Sequence, residues 1–257
     1  MGRTSTKKTK TDAAKYVYGV IRPTRKAAPR VRGIGRKQVR IVRADGIGAL
    51  TSDVPAEDLE AGREELLAHA RVLEKSLDHG TVLPMRFGVV LPSESAVRDQ
   101  LLEPHRRELE DQLEQMEGKI EVNIKAIYDE AALLTEVIRE RPEIGQLQKQ
   151  IRGQPEDATY YERIRLGELI AESVNQKRDA DGAALTDRLA SHAVAVEVGE
   201  PVHERMALNA SFLVDRDRLA KFDAELDEIA AEQRDRMRFK YTGPLAPHSF
   251  VELAMEG

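Results

Sequence analysis

The 257-residue sequence has no cysteine, no tryptophan, and only five phenylalanines and six tyrosines. Without cysteine there are no disulfides, no thiolate metal sites and no cysteine nucleophile. The scarcity of aromatics leaves packing to Leu, Ile, Val, Ala and Met, a composition for helices and small sheets rather than a deep aromatic pocket. No apolar run approaches the ~20 residues needed to span a bilayer. The N-terminal stretch MGRTSTKKTKTDAAKY is positive but has no apolar segment behind it, so a secretory signal is not expected. A soluble, cytoplasmic protein is.

Charge, by contrast, is plentiful and uneven. The formal net charge is −5, yet residues 1–43 carry 14 Lys and Arg against Asp12 alone. The remainder carries 26 Lys and Arg against 44 Asp and Glu. A basic arm on an acidic body implies either a solvated tail or a partner of opposite charge. The length fits two domains.

Residues 1–15 read as a disordered basic arm. Tyr16–Ile21 reads as a strand, and Arg22–Lys37, with two prolines, two glycines and seven basic residues, as a long loop. Val39–Arg43 and Ile47–Thr51 flank Asp45-Gly46, whose tolerance of positive φ predicts a hairpin. Pro55 and Glu57 open a predicted helix in which Leu66, Ala70, Leu73 and Leu77 mark the apolar face; His79-Gly80 closes it. Thr81–Leu91 alternates as one strand, with Met85 and Phe87 on its apolar face and Pro84 forcing a bulge or an edge. Ser93 is a candidate cap for a helix over 93–118 that Pro104 should kink. These elements make an N-terminal α+β domain over 16–118, a mixed sheet with helices.

Ile120–Ile127 alternates as the next strand. Helical patterns follow at 130–150, 157–176 and 181–198, with Asp179–Gly182 separating the last two. Met206–Val214 returns to strand, Asp215 is a candidate cap for the amphipathic helix of Leu219, Phe222, Leu226 and Ile229, and Met237, Phe239 and Tyr241 mark a last strand. Strand, helices, strand, helix, strand predicts a split βαβ layout with a helical insertion, over 119–257.

Catalytic signatures are absent. Gly33-Ile34-Gly35 and Gly46-Ile47-Gly48 lack the third glycine and the strand-to-helix setting of a phosphate cradle. His69, His79, His105, His192, His203 and His248 form no helical ligand pair, and no serine sits in a nucleophile elbow. Neither a metal nor a cofactor is expected, and no enzymatic activity. Nucleic-acid binding has more to offer it: Arg236, Arg238 and Lys240 share one face of a predicted strand. Met85–Val90 faintly resembles the aromatic sheet motif of RNA-recognition modules, but its second stacking aromatic is missing and the body is acidic.

Three segments carry a family resemblance. Thr81–Leu91 (TVLPMRFGVVL) resembles the "TVLPMRFG" signature of gas vesicle proteins of the GvpF/GvpL family. Met206–Arg216 (MALNASFLVDR) resembles that family's "LNAAFLVDR" strand, with Ser211 in place of alanine. Thr242–Leu253 (TGPLAPHSFVEL) resembles its "TGPWPPYSF" segment, departing at Leu245, Ala246 and His248. Tyr16–Val20 and Ile120–Glu130 fit weaker patterns of the same family. The resemblance implies a two-domain α+β fold whose second domain is a modified ferredoxin-like one. It also implies an accessory or minor structural role in gas vesicle assembly, in contact with the small hydrophobic shell protein and other accessory proteins.

A shell subunit apolar enough to line a gas space needs a holding partner before assembly, and edge-strand addition is one way to hold it. The Pro84 strand and the Thr242–Val251 segment are the candidate edges, which makes Pro84, Arg86, Gly243, Pro244 and Pro247 the protein-contact candidates. The competing function is a nucleic-acid-binding regulator of the same system.

Overall fold

A computed structural model of the chain describes residues 13–23, 30–54 and 62–252. Most of the basic arm, part of the Arg22–Lys37 loop, and the helix start expected at Pro55 and Glu57 lie outside the described residues. The class is α+β, and the chain divides into two units: Met1–Ile120 with Pro244–Gly257, and Glu121–Gly243. The last stretch of chain thus groups with the first unit, not with 119–257, because Ala246 is buried in the first unit's core.

The first unit is built on β1 (Lys15–Ile21), β2 (Arg40–Ala44), β3 (Ile47–Asp53), β4 (Val82–Pro84) and β5 (Val90–Leu91). The order is β2-β3-β1-β4, with β5 also on β1. Every pairing is antiparallel, where a mixed sheet was expected. The β2–β3 hairpin turns on Asp45 and Gly46, at φ 31° and 89°, as the Asp-Gly pair predicts. Lys15, expected in the arm, is instead the first residue of β1; its ammonium donates to Asp53 at 2.6 Å and holds that carboxyl below its usual range. The β1–β3 register shifts between Val17 and Gly19, which leaves Tyr18 as a bulge.

The signature stretch is two short strands, not one. Pro84 ends β4 for want of a ladder N–H, and Phe87-Gly88 form a turn with Gly88 at φ 96°. Backbone bonds from Met85 to Tyr18 and from Val17 to Val89, both 2.9 Å, hold that turn against β1. Helix α1 (Arg63–Leu77) buries His69, Val72, Leu73, Ser76 and Leu77, and leaves Leu66 and Ala70 exposed. Its inward stripe therefore runs through a histidine that spacing of leucines could not select. Ser93 caps α2 (Glu94–Ala96) through the Ala96 N–H, a π-helical turn Val97–Leu102 follows, and beyond Pro104 α3 (Arg106–Gln115) starts afresh.

The second unit holds β6 (Lys119–Tyr128), β7 (Ala195–Val198), β8 (Met206–Asp215) and β9 (Met237–Leu245), in the order β7-β8-β6-β9. Helices α4 (Glu130–Glu140), α5 (Pro142–Ile151) and α6 (Tyr160–Ala190) lie between β6 and β7, and α7 (Leu219–Glu232) lies between β8 and β9. The order and connections are compatible with a split βαβ sheet carrying inserted helices. Three helical expectations fail. Residues 130–150, expected as one helix, are α4 and α5, divided at Arg141 before Pro142. α6 runs unbroken through Asp179–Gly182, since Gly182 is seated where an added Cβ would stand 2.7 Å from the Ala207 carbonyl oxygen: a packing glycine, not a stop. Residues 195–198, expected as helix, are strand β7. Asp215 does not cap α7 either; its carbonyl accepts from Arg218, which occupies the cap position. The core gathers Val122, Ile124, Phe212, Phe222 and Ile229, with the two phenylalanine rings 5.2 Å apart.

Candidate functional site

The bulge, the α1 stripe and the signature turn together enclose a polar aromatic cluster in the first unit. Tyr16 and Tyr18 have their rings 4.8 Å apart, and Phe87 lies 5.8 Å from Tyr16. The Tyr16 hydroxyl accepts from the Gly88 N–H at 3.1 Å and lies 2.8 Å from His69 Nδ1. Nε2 of His69 is buried and makes no hydrogen bond of normal geometry. The Tyr18 hydroxyl accepts from the Ile34 N–H at 2.7 Å and meets the Ser52 hydroxyl at 2.8 Å. His248, from the third signature segment, has its ring 6.4 Å from that of His69. Burial pushes the Tyr16 phenol up to about 12 and raises Tyr18. Burial, with His248 adding to it, holds His69 down to about 4. At neutral pH Tyr16, Tyr18 and His69 are uncharged, and their hydrogen bonds fasten β1, α1 and the turn to one another.

In the second unit the charged side chains form a network. The Arg236 guanidinium donates to both oxygens of Glu136, at 2.5 and 2.9 Å, and to Asp181 at 2.9 Å. Lys177 pairs with Glu136 and Glu140, each at 2.9 Å, and the Tyr128 hydroxyl donates to Asp181 at 2.7 Å. The bond from Arg236 holds the Glu136 carboxyl down to about 2. Arg236 is therefore committed inside the fold and forms no basic strand face with Arg238 and Lys240. Among the described residues, no group of three or more His, Asp or Glu is placed to hold a metal ion, and no helix is long and apolar enough to cross a membrane.

The contact candidates differ in unit and in exposure. Pro84, Arg86, Pro244 and Pro247 belong to the first unit and Gly243 to the second. Pro84 and Pro247 are buried, Gly243 is half-buried, and Arg86 and Pro244 are exposed. β4 and β9 do end their sheet orders. β7 is a further edge that the sequence did not mark: it ends on Val198, 64% exposed, and Val194 and Val202 on either side are 52 and 72% exposed. Its four residues are too few for period two to outweigh the helical spacing of Leu185, Leu189, His192 and Val196.

The model of a protein family described as gas vesicle synthesis protein GvpL/GvpF matches residues 14–252. The chain belongs to the GvpL/GvpF family. It is 37% identical over 240 residues to gas vesicle protein F of Streptomyces sp. (strain CB03234), covering 92% of this chain and 99% of that one. Gas vesicle protein L of the same strain is 30% identical over 266 residues, with 96% of each chain covered. Among solved structures, GvpF from Anabaena sp. PCC7120 superposes with a TM-score of 0.82 at 26% identity, over 95% of this chain and all of that one. GvpF from Microcystis aeruginosa gives 0.77 at 27%, over 94% and 100%. In this GvpL/GvpF chain the first and third signature segments meet around Tyr16 and His69, and the second is the buried strand β8.

Proposed function

We propose that this chain is an accessory or minor structural protein of gas vesicle assembly that works in the cytoplasm. It binds the small hydrophobic shell protein and other accessory proteins, and catalyses no reaction. Membership of the GvpL/GvpF family supports the gas vesicle role. The observation that supports binding is the β7 edge, whose outer side meets no described strand and whose valines at 194, 198 and 202 face solvent. An edge with free N–H and C=O groups and apolar side chains suits an extended apolar segment, with main-chain bonds giving affinity and the valines a dry contact.

The test is co-purification with the shell protein, then a check for retention on isolated, washed vesicles. The wild-type chain is expected to capture the shell protein. Val194→Lys with Val198→Lys, both at exposed positions, is expected to abolish capture without lowering the thermal midpoint. Failure of the wild type to capture shell protein defeats the binding reading, and undiminished capture by the variant defeats the β7 edge. Retention after washing distinguishes a vesicle component from a transient chaperone.

A further inference from the structure

Apart from the edge, the first unit carries a groove of about 980 Å³ whose walls are the loop at 32–36 and the exposed start of α1. Among the described residues, Arg32, Arg36, Arg63 and Arg71 line it against two acids, Glu64 and Glu65. Arg36 and Glu64 are 3.8 Å apart with side chains 85 and 77% exposed, so that pair neutralises little. Among the described residues no ion pair takes Arg32, Arg63 or Arg71. Leu67, half exposed, lies on the same wall.

The loop that presents two of these arginines is fixed in advance. Its Ile34 N–H donates to the buried Tyr18 hydroxyl at 2.7 Å, and a Cβ on Gly33 would stand 1.9 Å from that oxygen. Gly33 N–H donates to the Lys37 carbonyl at 2.8 Å, and Arg36 N–H to the Gly33 carbonyl at 3.0 Å. Arg36 itself holds φ 57°, a left-handed conformation that glycine would adopt without strain. A charged side chain is kept at a position where the backbone favours none, and such strain gathers at functional sites.

We propose that this groove docks an acidic segment of a partner protein. Carboxylates of that segment pair with Arg32, Arg36, Arg63 and Arg71, whose planar guanidinium groups suit them bidentately, and an apolar side chain rests on Leu67. The described lining favours a peptide over a nucleic acid: Glu64 and Glu65 would repel a continuous phosphate backbone, and among the described residues no aromatic side chain lines the wall for bases to stack on.

The test uses the full chain and a fluorescently labelled peptide of repeated Glu-Glu-Leu units, read by anisotropy at about 0.15 M salt. Arg63→Ala with Arg71→Ala is expected to weaken binding by about tenfold or more. Arg238→Ala with Lys240→Ala, exposed cations of the second unit, should change it by less than about twofold. Arg36→Gly should also weaken binding while leaving the thermal midpoint unchanged or higher. Equal losses from the two double variants would show unspecific attraction and overturn the proposal. So would a single-stranded oligonucleotide that binds more tightly than the peptide with the same arginine dependence. A dimer in sedimentation that Arg63→Ala with Arg71→Ala dissolves would also overturn it, by making a second copy the occupant.

Discussion

Tyr16 Oη and His69 Nδ1 meet at 2.8 Å across 53 positions of sequence, and the Gly88 N–H closes on the same oxygen. The hydroxyl, already accepting from Gly88, is placed to donate to a neutral imidazole. One phenol thus ties the first strand, the first helix and the signature turn into a single buried joint. That gives the "TVLPMRFG" stretch an intramolecular reason to exist: Met85 bonds β1 through its backbone, Phe87 packs on Tyr16, and Gly88 makes both the turn and the bond.

The joint should make stability pH-dependent. His69 is held down to about 4 in the folded chain, against an ordinary 6.5. Between those values the unfolded chain binds a proton that the folded chain does not, so stability is full above pH 6.5 and falls as pH is lowered through the window. The complete loss is about 3 kcal/mol. Urea unfolding at pH 7, 5.5 and 4.5 should show this decline, and His69→Gln, which keeps a polar partner for Tyr16 but does not titrate, should flatten it. A parallel decline in the variant would assign the effect to other groups.

Gly88 should resist substitution for conformational reasons alone. A Cβ there meets nothing within 4 Å, so Gly88→Ala suffers no clash, but φ 96° is left-handed and should cost about 1–2 kcal/mol. Denaturant midpoints measure it. A loss below about 0.5 kcal/mol would mean that the turn relaxes freely.

Much of this fold is legible in the sequence because its signals are local. Asp45-Gly46 specifies its hairpin, and alternation along Met206–Val214 marks β8. Leu219, Phe222, Leu226 and Ile229 mark α7, and Ser93 marks the cap of α2. What escapes depends on distant partners. His69 faces inward because Tyr16 offers it an acceptor and donor, and Gly182 sits inside a helix because β8 approaches it. β7 is a strand because β8 supplies its ladder. Proline and glycine mark tight backbone and say nothing of exposure: Pro84 and Pro247 are buried, while Arg86 and Pro244 are exposed. The arginine groove was equally hidden, its walls lying more than 25 positions apart in the chain.

Gly182 gives a test in which the sign is decisive. In an exposed helix interior Gly→Ala gains about 1 kcal/mol. Here the new Cβ would stand 2.7 Å from the Ala207 carbonyl oxygen, which belongs to the β8 backbone and cannot swing aside. Gly182→Ala should therefore destabilise, by about 1–3 kcal/mol as overpacking does, with a lowered thermal midpoint. A raised midpoint would show that α6 lifts off the sheet at little cost.

Arg236 should matter far more than its place at the head of an edge strand implies. Removing it leaves Glu136 and Asp181 facing each other's charge with Lys177 as the remaining cation, and Glu136 is only 13% exposed in its side chain. Arg236→Ala should cost about 2–4 kcal/mol. Arg188→Ala, which frees the more exposed Glu232 as well as Glu225, should cost under about 1 kcal/mol. Acid titration separates the two further. Glu136 is held down to about 2 from an ordinary 4.5, so between those values the unfolded chain takes up a proton that the folded one refuses, and stability falls as pH drops through that range. Without Arg236 the carboxyl rises toward its ordinary value, and this part of the acid sensitivity should shrink in Arg236→Ala but persist in Arg188→Ala. Equal acid sensitivity in the two variants would place the effect outside the network.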